Sequence, residues 1–132
     1  MDIIALTLAA EHGDIEANSM IGRMLFEGNG MDIDWVKARP YLKRAAEAGD
    51  AHSMYLLGRI YLSGVGVRID KGRAFRNYLE SARYGCPEAM YELGMMYLSG
   101  TYVRKDEMSA YQMLRRAEEK GIRIPEGLFR KS

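Results

Sequence analysis

Cys86 is the residue whose type and position come nearest to catalytic chemistry. It lies between Gly85 and Pro87, at the expected start of a helix, and a helix N-terminus can lower the pKa of a thiol enough to make it a nucleophile. A catalytic thiolate also needs a base, and no histidine lies near Cys86 in the sequence. The chain has no second cysteine for a disulfide or a cysteine-rich zinc site. We therefore expect Cys86 to be a small buried or helix-capping residue.

Other residues offer weaker chemistry. His52 has no histidine or cysteine four residues further along its helix, so it forms no metal-binding pair. Gly64-x-Gly66 looks like a phosphate-binding loop, but such a loop joins a strand to a helix and this one follows a helix. The sequence thus predicts a protein that is not an enzyme and that has no metal or cofactor.

The composition is that of one small globular domain. The chain has 132 residues, of which 48% are hydrophobic and 28% charged, enough for a core of its own. A net charge of +1 gives no strong field to attract nucleic acid or anionic lipid. No stretch approaches the ~20 apolar residues of a membrane span, and Asp2 stands where a signal peptide would be basic. We expect a cytoplasmic protein without nucleic-acid or membrane partners.

Most of the glycines recur at a fixed interval. Shifting the sequence by 36 residues superimposes four sets of small residues and one set of aspartates without a gap. The sets are Gly22, Gly58 and Gly94; Gly28, Gly64 and Gly100; Gly13, Gly49, Gly85 and Gly121; Ala38, Ala74 and Ala110; and Asp34, Asp70 and Asp106. The chain is therefore predicted to contain three repeats, 15–50, 51–86 and 87–122, preceded by half a repeat at 1–13 and followed by a tail at 123–132.

Each repeat is predicted to hold two helices. In the second repeat, Met54, Leu57 and Tyr61 share one face of a helix that ends at Gly64, and Asp70 is placed to cap the next helix. The predicted helices span about 2–12, 15–27, 35–48, 51–63, 71–84, 87–99 and 107–120. The first of them caps one end of the stack. Ile122, Ile124, Leu128 and Phe129 of the tail are candidates to cover the other end.

Gly58 lies inside the first helix of its repeat, where it costs about 1 kcal/mol relative to alanine. Its recurrence at Gly22 and Gly94 indicates a packing reason, namely close approach of the second helix. The alanines of the fixed set, 38, 74 and 110, are the expected counterparts.

One motif recurs in the three repeats and is most complete in the second. It consists of Leu57, Gly58, Tyr61, Gly64, Gly66, Val67, Asp70, Ala74, Ala82 and Gly85. This motif resembles the Sel1-like repeat, an αα repeat related to the tetratricopeptide repeat. The third repeat departs from it, with Tyr102 for the second turn glycine and Glu118 for the second alanine. The resemblance implies a right-handed αα superhelix whose first helices line a concave face, and family members usually act as scaffolds or adaptors.

The same resemblance indicates which residues would contact a partner. In the tetratricopeptide fold the groove positions lie on the first helix of each repeat, away from its packed face. In this sequence they are Glu16, Ser19 and Arg23; His52, Tyr55 and Arg59; and Glu88, Tyr91 and Met95. Tyrosine and arginine are favoured anchors at protein interfaces. For Tyr55 and Tyr91 the alternative is packing between neighbouring repeats.

Trp35 is a further candidate for partner contact. Its equivalents in the other repeats are Lys71 and Glu107, so the position should face water, and an exposed tryptophan is typical of contact sites. The alternative is an aromatic ring that covers the turn and rests on its own helix.

Three functions follow from these observations. The sequence favours a non-catalytic scaffold or adaptor, monomeric or weakly dimeric, that holds a partner protein or peptide on the concave face. The family resemblance suggests a bacterial signalling, secretion or virulence setting. An immunity protein that neutralises a toxin is the alternative, favoured by the small size and by an uneven charge, −4 over residues 1–50 and +4 over residues 51–86. A self-associating structural unit is the third, because the end repeats are open.

Overall fold

The chain folds into seven consecutive helices. The computed structural model describes residues 2–128, and within that range every regular element is an α-helix. The helices are α1 (Ile3–Glu11), α2 (Ile15–Glu27), α3 (Trp35–Glu47), α4 (Ala51–Ser63), α5 (Lys71–Arg83), α6 (Pro87–Ser99) and α7 (Glu107–Glu119). Each end lies within one residue of its predicted place, so the prediction of an all-α architecture is confirmed.

Aspartates and glycines set the ends of these helices. The N-cap aspartates of α1 to α5 and of α7 each accept a hydrogen bond of 2.9–3.1 Å from a backbone N–H of the first turn. Helix α6 instead begins after Cys86 with Pro87, whose missing N–H costs nothing in a first turn. Gly64 ends α4 with a φ of 73°, a left-handed conformation that glycine adopts without strain. The predicted caps at Asp70 and Gly64 are therefore confirmed.

The helices stack in order along the chain. Within the repeats α2 packs on α3, α4 on α5 and α6 on α7, while α3 packs on α4 and α5 on α6 between them. One continuous core runs through the stack, and Leu42, Ile60, Tyr78, Met90 and Leu93 are among its fully buried side chains. Helices α2 and α4, the first helices of the first two repeats, also contact each other directly.

The helical glycines that recur every 36 residues have a packing cause, as predicted, but the residues that pack most closely on them differ from those expected. A Cβ atom on Gly58 would lie 2.5 Å from Cε1 of Tyr78, and one on Gly22 would lie 2.6 Å from Cδ2 of Leu42. The nearest atoms thus belong mainly to the large residues Leu42, Tyr78 and Leu114. Of the predicted alanines, Ala110 contributes its carbonyl oxygen, 3.3 Å from a Cβ atom on Gly94. The alanine and the large residue four positions later lie on the same face of the second helix. The larger side chain of the two fills the space left by the missing side chain of the glycine.

The two ends of the stack differ. Helix α1 leaves Ile4 and Leu8 exposed, at 72% and 55%. At the other end Ile122 is half-buried against the core, and residues 123–128 follow without a helix. Ile124 and Leu128 line a cavity of about 410 Å³ together with α7, so this part of the tail lies over the last helix. The fourth predicted tail residue, Phe129, lies outside the described residues.

Candidate partner-binding face

Nine of the ten predicted contact residues lie on α2, α4 and α6, the first helices of the three repeats, and the tenth, Trp35, begins α3. We call the outward surface of these helices the first-helix face. The predicted residues that are exposed there are Glu16, Arg23 and Arg59. Those that are half-buried are His52, Tyr55, Glu88, Tyr91 and Met95. Ser19 is the exception, because it is buried.

Three aromatic rings surround the guanidinium of Arg59. Its Cζ atom lies 5.2 Å from the ring centroid of Phe26, 5.9 Å from that of Trp35 and 6.0 Å from that of Tyr55. At such distances a cation is attracted to the electron-rich face of a ring. Phe26 and Trp35 belong to the first repeat and Tyr55 and Arg59 to the second, so this contact joins two repeats. We call these four residues the Arg59 cluster.

Trp35 is half-buried rather than exposed. Its ring is stacked on Phe26 with a centroid separation of 4.2 Å, and its indole Nε1–H donates a 3.0 Å hydrogen bond to the carbonyl oxygen of Phe26. The expectation of an exposed ring is therefore wrong, and the alternative of a turn-covering aromatic is closer, although the ring rests on α2 and not on its own helix. A role of Trp35 in partner contact stays a prediction.

Tyr55 is held in place by other rings. Its ring centroid lies 5.8 Å from that of His52 on the same helix and 5.8 Å from that of Tyr78 on α5. Burial raises the pKa of its hydroxyl, against the opposing effect of Arg59. The side chain thus packs inside the second repeat while part of it remains at the surface.

Glu92 belongs to the same region and was missed by the sequence analysis. It is half-buried on α6, and burial raises its pKa, with the positive charge of Arg59 as the opposing effect. Its equivalents are Met20 and Leu56. A charged residue at a position where two other repeats are apolar was the signal that would have identified it.

Ser19 has a structural role in the joint between repeats. It is only 8% exposed and donates a 3.0 Å hydrogen bond to Oδ2 of Asp50, the N-cap of α4. Burial alone would raise the pKa of Asp50, but hydrogen bonds from Ser53 and Ser19 together outweigh it and lower the pKa. Ser19 therefore has little exposed surface, and its role in partner contact stays a prediction.

Cys86 has the surroundings of a structural cysteine. It is 6% exposed, it is the N-cap of α6, and its Sγ lies 3.7 Å from Oε1 of Glu88. Burial raises the pKa of the thiol, the opposite of what a nucleophile needs. The prediction of a buried or capping residue is confirmed.

Two grooves separate successive second helices. One, of about 590 Å³, lies between α3 and α5 and is lined from below by Leu57 and Tyr61. The other, of about 760 Å³, lies between α1 and α3 and is lined by Ile21 and Leu25. Ile21 and Leu57 are 36 residues apart, as are Leu25 and Tyr61, so the grooves are one feature in two repeats. None of the predicted contact residues lines either groove, which makes this second-helix side a natural control surface.

Within residues 2–128, no three His, Cys, Asp or Glu side chains come together in a group that could hold a metal ion. No helix in the same range is long and apolar enough to cross a membrane.

Paired helices stacked at a constant interval define a helical-repeat solenoid. The family model of the Sel1 repeat matches residues 15–50, 51–85 and 87–122. The chain therefore belongs to the Sel1 repeat family, and the predicted solenoid of Sel1-like repeats is confirmed. Sel1 repeats generally mediate protein–protein interaction.

Three solved structures show the same architecture. A Sel1 repeat protein from Oxalobacter formigenes is 31% identical with a TM-score of 0.81, over 91% of this chain and 49% of that one. A protective antigen of uropathogenic Escherichia coli with an SLR fold is 34% identical with a TM-score of 0.82, over 92% of this chain and 26% of that one. The cysteine-rich protein B of Helicobacter pylori, 23% identical with a TM-score of 0.72 over 92% of both chains, shows the fold alone.

The chain thus spans about half the length of the first of these proteins and about a quarter of the second. No curated protein matches it.

Proposed function

We propose that this protein is a non-catalytic scaffold that holds a partner protein or peptide on the concave face lined by α2, α4 and α6. The observation that carries the proposal is the Arg59 cluster. An exposed arginine held by three aromatic rings combines the residue types that dominate binding energy at protein interfaces. The general role of Sel1 repeats in protein–protein interaction supports it.

The arrangement around the cluster suits recognition. Phe26, Trp35, Tyr55 and Tyr78 contact one another or Arg59, so little side-chain entropy remains to be lost when a partner binds. Half-buried Tyr91 and Met95 extend the surface over the third repeat. A bacterial signalling, secretion or virulence setting is part of the proposal, supported by the bacterial sources of the similar structures.

A partner-capture experiment tests the proposal. Tagged wild-type protein is used to isolate a partner from the source cells, the partner is identified by mass spectrometry, and its affinity is then measured with purified proteins. We expect Tyr55→Ala with Arg59→Ala to weaken binding by at least tenfold, because two anchors are removed, while the helical circular dichroism is unchanged.

The matched control replaces one tyrosine and one arginine elsewhere. Tyr84 and Arg76 are both exposed near or on α5, and Tyr84 lines a groove of the second-helix side. Tyr84→Ala with Arg76→Ala should leave affinity within twofold of wild type. Equal binding by the first pair, or loss only in the control pair, would show that the partner uses another surface.

A further inference from the structure

Resting on the proposed function, we propose that Arg59 binds a carboxylate of the partner, so that the first-helix face selects a peptide segment with one carboxylate next to apolar side chains. The proposal names one receptor group, the guanidinium of Arg59, and one ligand class, an aspartate or glutamate side chain or a terminal carboxylate in a peptide.

The rings around Arg59 hold its head group without satisfying its hydrogen-bond donors. A guanidinium carries five N–H donors in a fixed plane, and contact with ring faces uses its charge and its flat surface. Among the described residues, Arg59 makes no hydrogen bond and no ion pair to an acceptor. A carboxylate is the ligand whose two oxygens match a guanidinium edge.

Some other arginines of the fold are paired with acids. Nε of Arg73 lies 3.7 Å from Oδ2 of Asp70, and Nη1 of Arg83 lies 3.1 Å from Oε1 of Glu80. These pairs are local, between residues three apart on one helix or its cap. Arg59 differs from these arginines because its guanidinium lies over three aromatic rings.

Glu92 is the acidic residue next to consider, and it does not occupy the position of the proposed ligand. The positive charge of Arg59 acts on Glu92 through space, but the described residues include no Arg59–Glu92 ion pair, and Glu92 is half-buried on the next repeat. Arg23 of the first repeat is a second exposed positive charge on the first-helix face.

The same charges argue against a phosphate-rich ligand. Nucleic acids and polyphosphates are bound by several cations acting together. This face offers Arg23 and Arg59 against Glu16, Glu88 and Glu92. A single carboxylate next to apolar side chains, which rest on the aromatic rings, suits this arrangement better.

Peptide selection provides the first test. A library of random twelve-residue peptides displayed on phage is selected on the wild-type protein, and recovered peptides are tested for loss of binding to the Tyr91→Ala variant, which reports on use of the first-helix face. We expect these peptides to share an aspartate or glutamate beside an aromatic or aliphatic residue. Recovery of first-helix-face binders without an acidic residue, or of no binder at all, would overturn the inference.

A double-mutant cycle provides the second test. The acidic residue of the best synthetic peptide is changed to its amide, and affinities are measured by calorimetry on wild type, Arg59→Gln and Arg59→Lys. On wild type, we expect the amide peptide to bind at least tenfold more weakly than the acidic peptide, the size of a lost charge-assisted hydrogen bond. On Arg59→Gln, the two peptides should bind equally well to within twofold. Arg59→Lys should recover only part of the loss because lysine lacks the planar fork.

Arg76→Gln is the matched control, since Arg76 is an exposed arginine of α5, and it should leave both affinities unchanged. If changing the acidic residue to its amide lowers affinity by the same factor on wild type and on Arg59→Gln, the peptide carboxylate does not contact Arg59 and the inference is wrong. Binding to the first-helix face would then stand without it. Peptides that bind equally well to Tyr91→Ala and to the Tyr55→Ala, Arg59→Ala pair would instead contradict the proposed function itself.

Discussion

Ser19 and Arg59 occupy polar positions on first helices, yet the structure gives them opposite surroundings. The side chain of Ser19 is short and is buried against the N-cap Asp50 of the next repeat. Arg59 extends over rings of the preceding repeat and keeps its charge at the surface. Sequence periodicity predicted the helix face of both residues but not which residues of the neighbouring repeat their side chains contact. The contact of Arg59 with Phe26 joins residues far apart in sequence, and it depends on the packing of α2 against α4.

The hydrogen bond between Ser19 and Asp50 yields a prediction about stability and pH. Because Asp50 has a lowered pKa in the folded state, it contributes stability that is present above the ordinary pKa of an aspartate and is lost as the pH falls through the folded value. Ser19→Ala removes part of that contribution, and we expect a loss of about 1 kcal/mol in the free energy of unfolding at neutral pH.

Urea denaturation at neutral pH and at about pH 3, below the ordinary aspartate range, measures the effect. The difference between wild type and Ser19→Ala should shrink at the lower pH. A difference that is the same at both pH values would mean that the serine stabilises the fold by some route other than the charged form of Asp50.

At the scale of elements, the repeat predicted nearly every helix boundary, because caps and left-handed glycines act within a few residues. It did not identify what packs on the helical glycines. Ala74 and Tyr78 lie on the same face of α5, one turn apart, and both recur in register as buried residues. Choosing between them required the offset of α5 relative to α4, which is a property of the packed pair and not of either sequence.

The close contact between Gly58 and Tyr78 predicts the effect of adding one methyl group. Alanine favours a helix by about 1 kcal/mol over glycine, but its Cβ would lie 2.5 Å from a ring that is fully buried. Overpacking of this kind costs about 1–3 kcal/mol. We expect Gly58→Ala to lower the melting temperature measured by circular dichroism.

Gly72 is the control for this substitution. It also lies inside a helix, α5, but the atom closest to an added Cβ is the hydroxyl oxygen of Tyr102, at the far end of an exposed side chain. Gly72→Ala should leave the melting temperature unchanged or raise it. A Gly58→Ala variant as stable as Gly72→Ala would contradict the packing argument.

For the whole molecule, the 36-residue interval predicted the stack of paired helices, because each repeat can bury its apolar residues only against its neighbours. The ends were less predictable, since a terminal helix has no second neighbour to fix its surroundings. Helix α1 leaves Ile4 and Leu8 exposed, whereas residues 122–128 lie over α7. The repeat pattern does not identify the partner, so the binding face is proposed from the contacts of individual residues.

A monomer or weak dimer is the expected state of a scaffold with this surface. One chain has a mass of 15.0 kDa, and we expect the exposed apolar residues of α1 to support no more than a weak contact between two copies. Light scattering across a wide range of concentrations should give a mass close to that of one chain, with at most a gradual rise. A mass that remains a fixed multiple on dilution would favour the self-associating structural unit instead.

Site-specific photo-crosslinking in the source cells tests the central claim most directly. A benzoylphenylalanine is placed at Tyr91, half-buried on the first-helix face, or at Tyr84, exposed at the end of α5 on the second-helix side. Both are tyrosine positions, so the replacement is similar in size. We predict one discrete cross-linked partner from position 91, lost when Tyr55→Ala and Arg59→Ala are added, and no such product from position 84. A partner captured from position 84 and not from position 91 would contradict the account.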